Sequence, residues 1–142
     1  MKDLIYTASE WHTGTKRYVR ITLEQYLMPY VRQTRNSRYG TSDGSARARA
    51  YNQARGDFRD ALTGILLAKQ LQPFDEKQKL AVSADFWVKS PANSDLDNYV
   101  KSLLDCCQGI LFPNDKQVYQ IITCNKHGPH PNPKVSFIVG EM

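Results

Sequence analysis

The run SDLDNYVKSLLDCCQGILFPNDKQV, residues 94–118, holds Asp95, Asp97, Asp105 and Asp115, four of the chain's fourteen acids. Carboxylates gathered close together repel one another unless a cation lies between them. The chain as a whole is basic, with formal charge +5, so this acidic segment needs a reason. The simplest cation is a metal ion. Hard oxygen ligands select Mg²⁺, with Mn²⁺ able to replace it, and such ions keep several waters and take phosphate oxygens as further ligands. The chemistry that fits is hydrolysis of a phosphodiester, where the ion polarises the phosphoryl group, lowers the pKa of a bound water and stabilises the leaving oxygen. Lys101 would sit against the negative charge that develops on phosphorus. The same acids admit a structural reading. Asp95 can cap a helix, and Asp97, Lys101 and Asp105 can form ion pairs four residues apart, worth a few tenths of a kcal/mol each.

These side chains need elements to position them. Residues 96–108 predict a helix, capped by Ser94 or Asp95 and stopped by Gly109. On a wheel of about 100° per residue, Leu96, Val100, Leu103, Leu104 and Cys107 share the core-facing sector, with Asp97, Lys101 and Asp105 as a charged stripe beside it. Asp97 then lies in the first turn, where the helix dipole favours an anion. Asp95 stands at the exit from a preceding strand and Asp115 at the entry to the next, so folding can bring three carboxylates together. The preceding strand is LAVSADFWV, 80–88, whose alternation has the period of two that marks one buried face. Further strands are expected over VYQIITC, 118–124, and VSFIV, 135–139, separated by the turn-rich NKHGPHPNP. A longer helix is expected from Ser45 to Gln70, capped by Asp43 or Ser45, with Tyr51, Ala54, Phe58, Leu62 and Ile65 as its apolar stripe. In 17–35, YVRITL reads as a strand and LEQYLMPYVRQ as a helix that Pro29 would interrupt; 33–44 reads as a long loop.

Charge is distributed unevenly. All nine arginines lie in the first sixty residues, which carry net +5, and the remainder is neutral. Arginine's planar fork suits phosphate, and tyrosines are interleaved among these arginines, the footprint of a nucleic-acid binder. Arg35, Arg38, Tyr39, Arg47, Arg49, Arg55 and Arg59 form the pool of expected DNA contacts. At 142 residues the chain reads as a single domain, 1–142, and its composition is that of an ordinary soluble protein. It has no apolar run long enough for a bilayer and no signal-peptide pattern, so no membrane partner and a cytoplasmic address are expected.

The combination DLDNYVKSLLD followed by GILFPNDKQV resembles the signature of the RusA-type Holliday-junction resolvases, DNA endonucleases of bacteria and phages. Their pattern is Asp-x-Asp-Asn, a Lys four residues after the second Asp, another Asp on the same helix, then Asp-Asp before a strand. The resemblance implies that Asp95, Asp97 and Asp115 hold Mg²⁺, that Lys101 is catalytic, and that Asn98 and Asp105 stand behind them. It also implies a RusA-like α+β fold, with a mixed sheet of about four strands and two main helices, and a homodimer that resolves four-way DNA junctions by paired cuts in recombination and repair. The likeness is close over about 78–125, looser over 36–77, and largely absent over 1–30. Asn114 stands where the family carries the first acid of its Asp-Asp pair, and the family's proline-rich N-terminal stretch is not evident.

Two alternatives remain: a non-catalytic nucleic-acid-binding module of the same fold, and a nuclease for flaps or other branched DNA. Zinc held by Cys124, His127 and His130 with Cys106 or Cys107 fits no standard spacing, and reduced thiols are the expectation. Phe86, Trp87 and Phe112 are expected in the core.

Overall fold

The computed structural model describes residues 4–31 and 43–142. Arg35, Arg38, Tyr39 and most of the expected 33–44 loop lie outside the described residues, as do the side chains of both proposed caps, Asp43 and Ser45. The elements run β1 (Tyr6–Thr13), β2 (Lys16–Leu23), α1 (Asp43–Lys69), β3 (Leu80–Trp87), α2 (Leu96–Cys107), β4 (Val118–His127) and β5 (Lys134–Glu141). They build a mixed five-stranded sheet in the order β1-β2-β5-β3-β4, an α+β fold with one strand more than the sequence suggested.

The additional strand is β1, which pairs antiparallel with β2 from Tyr6↔Leu23 to Thr13↔Lys16. A two-residue turn joins them, with Gly14 at φ 64° in the first central position, where a type II′ hairpin calls for glycine. β1 has no clean apolar alternation because most of it is exposed, so it carries only the turn as a signal. The possible helix in LEQYLMPYVRQ does not form over 24–31. Pro29 interrupts it, and the chain instead runs irregularly beside α2, with the Ser102 hydroxyl donating to the Met28 carbonyl (2.6 Å) and the Tyr30 amide to the Asn98 carbonyl (3.0 Å).

One face of the sheet is buried by the helices. Val19, Ile21 and Leu23 of β2, Val135, Phe137 and Val139 of β5, and Leu80, Val82, Ala84 and Phe86 of β3 meet Phe58, Leu62 and Ile65 of α1 and Leu103 of α2. Phe112 belongs to this core. Trp87 does not, contrary to expectation, because its position in the alternation turns it to the opposite face. The buried stripe of α2 is Tyr99, Ser102, Leu103, Cys106 and Cys107, while Leu96, Val100 and Leu104 are only partly buried. The stripe is rotated from the expected one because α1 and residues 26–31 cover a flank of the helix.

The connection that matters most for the site is β3–α2–β4. β3 and β4 pair in parallel, Leu80↔Val118 through Trp87↔His127, so α2 must run back antiparallel to both. Leu103 anchors α2 at the centre of the core and is 1% exposed. Leu103→Ala should cost about 2–5 kcal/mol, read as a lower urea midpoint with an unchanged slope.

Candidate active site

Asp95 is the residue before α2, with extended backbone (φ −76°, ψ 155°), yet its side chain makes no capping hydrogen bond. Asp97 lies in the first turn of α2. Both are exposed, and neither carboxylate has a hydrogen-bond or ion-pair partner among the described residues. The ion pairs there are Arg17–Glu10, Arg55–Asp105 and His127–Asp85, so Lys101 pairs with neither Asp97 nor Asp105. The structural reading of these acids thus loses both its cap and its helix-surface pairs. What remains is two free carboxylates at a helix N-terminus, a donor set that fits Mg²⁺, which is commonly held by one or two carboxylates plus substrate phosphate.

Neighbouring residues hold this end of α2 in place. Asn98 donates its side-chain amide to Ser94 Oγ (3.2 Å), and its backbone carbonyl accepts from Tyr30. The Tyr30 ring carries the Lys101 ammonium over its face, 4.3 Å from the centroid, and meets the Tyr51 ring edge-on at 5.6 Å. A cation–π contact positions Lys101 one turn after Asp97 without neutralising its charge. Residue spacing alone does not reveal Tyr30 as this platform, because it comes from a distant segment.

Asp105 is held differently. Its Oδ2 accepts from the Tyr51 hydroxyl at 2.8 Å and lies 2.9 Å from Arg55 Nε. That Nε–H is not aligned for a hydrogen bond, so the Arg55 contact is one of charge. Burial, and next the bond to Asp105, hold the Tyr51 hydroxyl well above the ordinary phenol range. Arg59 Nη1 reaches the carbonyls of Cys106 (3.1 Å) and Gln108 (2.5 Å), closing the C-terminal end of α2. Arg55 and Arg59, expected as phosphate contacts, are thus engaged in fixing α2. Arg47 and Arg49 are exposed and make no such contacts. They lie four and two residues before Tyr51, whose ring meets Tyr30.

Asp115 opens a 3₁₀ turn, Asp115–Gln117, at the other end of α2, where its amide donates to Gln108 Oε1 at 3.4 Å. Asn114 caps this turn through its side chain, accepting from the Lys116 amide at 2.9 Å, while Gln117 returns a bond to the Asn114 amide. Asparagine caps as well as aspartate, which accounts for Asn114 where the family carries an acid. The opposite end of β4 lies beside Asp95, because Lys126 Nζ donates to the carbonyls of Pro91 (2.6 Å) and Ser94 (2.8 Å). From Val118 to Lys126 the strand spans ~26 Å, and α2 itself spans ~18 Å. Asp95 and Asp97 are therefore on the order of 20 Å from Asp115 of the same chain. The expected convergence of three carboxylates does not occur within one chain. No group of three acids, histidines or cysteines able to hold a metal is present among the described residues.

The cysteines follow the bland expectation. Cys106 and Cys107 are buried free thiols, and burial pushes Cys106 from 9.0 up to about 12. His127 stacks on Trp87 at 4.9 Å and contacts Asp85 at 2.8 Å, and His130 bonds to Asn132, so neither joins a thiol cluster. Among the described residues no helix is long and apolar enough to cross a membrane.

The family described as endodeoxyribonuclease RusA matches residues 29–136, from the segment beside α2 through β4 and into β5. No curated protein matches the chain.

Two predictions separate the acids. Asp105→Asn should cost about 1–3 kcal/mol, because it weakens the Arg55 contact and the acceptor of a half-buried tyrosine. Asp97→Asn should change stability by less than about 0.5 kcal/mol in the same urea titration. The raised pKa values of Cys106 and Tyr51 also set an alkaline trend. The unfolded thiol loses its proton near 9.0 while the folded one holds it to about 12, so the urea midpoint should fall as pH rises through that window.

Proposed function

The chain belongs to the endodeoxyribonuclease RusA family, whose model matches most of its length, and on that premise we propose that it is a Mg²⁺-dependent nuclease resolving four-way DNA junctions. The observation that carries this reading is the pair Asp95 and Asp97. They are free of structural duties at the start of α2, and Lys101 is presented one turn further on. Residues 1–142 would act as one nuclease domain, located with the DNA it cuts in the cytoplasm of a bacterial host, and serving recombination and repair.

Each residue's work follows from its position. Asp95 and Asp97 would hold the divalent ion through oxygens that pair with no cation among the described residues. Such an ion would supply Lewis-acid chemistry toward a phosphate and its attacking water. Lys101, oriented by the Tyr30 ring, faces the phosphoryl oxygens as their charge grows. Asn98 and Asp105 hold the helix that carries these groups. Arg47 and Arg49 bind backbone phosphates flanking the cut, and Arg35, Arg38 and Tyr39, outside the described residues, remain in the pool of DNA contacts. The partner's Asp115 would complete the ion's carboxylate set, because the chain's own Asp115 lies at the other end of α2. Resolution needs two symmetry-related nicks, and a homodimer supplies two equivalent sites.

The test is an end-labelled four-way junction incubated with Mg²⁺. Wild type should nick opposing strands, and Asp97→Asn should bind the junction as well but cut at least ~100-fold more slowly. Lys101→Met should show the same split between binding and cutting. Equal binding with no cutting by any form would instead identify a non-catalytic module. Faster cutting of flaps than of junctions would identify a nuclease for other branched DNA.

A further inference from the structure

Beside the start of α2 the fold leaves a cavity of about 240 Å³, at the carboxyl end of β3 and walled on its other sides by residues 25–29 and the first residues of β5. Its aromatic lining is unevenly occupied. Phe86 and Tyr99 are buried, 1% and 4% exposed, and pack on each other at 5.7 Å. Trp87 is covered by His127 and by the Lys134 ammonium, 4.4 Å from its ring. Tyr26 is 54% exposed, and no ring or cation lies over it among the described residues. The cavity therefore has one aromatic face open.

Its polar groups are unused as well. The Tyr99 hydroxyl has no hydrogen-bond partner among the described residues, although the residue is buried. Burial, and next the Tyr26 phenol, raise Tyr99 above the ordinary phenol range, so the two hydroxyls are close and protonated at neutral pH. Buried hydroxyls normally find partners, which leaves these two to a ligand with hydrogen-bonding edges. Lys89 and Lys134 line the same cavity, and among the described residues no acid does, so the ligand also carries negative charge.

We infer that this cavity takes one unpaired nucleobase of the bound DNA, and that its capture favours a branch point over continuous duplex. This rests on the junction reading above and deepens it. Asn93 lines the cavity two residues before Asp95, hence within ~7 Å along the chain, and Tyr99 follows Asp97 by two residues. A phosphate held at those carboxylates leaves the base of a neighbouring nucleotide at the cavity. The volume is below the ~300–1,000 Å³ of sites for drug-sized ligands, which suits one heterocycle and excludes a base pair. The base stacks on Tyr26, its polar edge meets the Tyr26 and Tyr99 hydroxyls, and Lys89 and Lys134 face the adjoining phosphates. Extruding a base from intact duplex breaks its pairing and stacking, and the cost is least where neighbours are already lost. A strand leaving a branch point offers such a base.

Binding without metal tests this independently of cutting. Four-way junctions of fixed sequence carry one abasic residue, moved through the two nucleotides on each side of the branch point. Wild type should bind the intact junction at least ~5-fold more tightly than the junction lacking the captured base. Tyr26→Ala should bind both equally, as weakly as wild type binds the abasic one, and Tyr26→Phe, which keeps the ring, should retain the preference. A continuous duplex should show no dependence on the abasic residue or on Tyr26. Wild-type affinity that no abasic position changes, or a Tyr26→Ala loss equal for intact and abasic junctions, overturns the base pocket and leaves the nuclease reading standing. A base preference lost in Tyr26→Ala while no form cuts with Mg²⁺ upholds the pocket and overturns the nuclease reading alone.

Discussion

The direction of α2 governs how this protein can work. A helix that links two parallel strands must return antiparallel to them, so its first turn and its exit lie at opposite ends of the sheet. Asp95 and Asp97 sit at one of these ends and Asp115 at the other. An ion with oxygens at ~2.1 Å cannot bridge that gap. Either the third acid is idle, or the site is completed by another molecule. The proposed homodimer would supply that second molecule.

The rest of the fold keeps α2 where this geometry requires it. Arg59 closes its C-terminal carbonyls, Asp105 ties it to α1 through Tyr51 and Arg55, and Ser102 and Asn98 tie it to residues 26–31. Leu103 and the two buried cysteines fill the space beneath. These contacts are all made within the chain, whereas the two acids at the start of the helix are left open. The same short helix therefore divides its residues between holding position and presenting charge. The division follows its faces. Residues toward α1 and the sheet are bonded, and Asp97 and Lys101 on the outer side avoid each other, with Lys101 resting on an aromatic ring.

Much of this was legible in the sequence. The alternation of residues 80–88 and the three-to-four spacing in 51–65 report backbone periods directly, and β3 and α1 appear where those periods predict. The acid pattern of residues 95–105 identified the family that the match over residues 29–136 supports. β1 was missed because a strand exposed over most of its length shows no apolar alternation. Arg55 and Arg59 looked like phosphate contacts because composition does not tell an arginine facing solvent from one bonded to helix carbonyls. Convergence of the acids was the larger error, and its cause is physical. Strand exit and strand entry sound adjacent along the chain, but in a parallel crossover they are the two ends farthest apart.

The most direct measurement is the anomalous density of Mn²⁺ in a crystal of the protein. A shared site predicts a peak within about 2.2 Å of carboxylate oxygens from Asp95 or Asp97 of one chain and from the partner's Asp115. A peak at Asp95 and Asp97 with every Asp115 in the crystal remote from it would contradict the account.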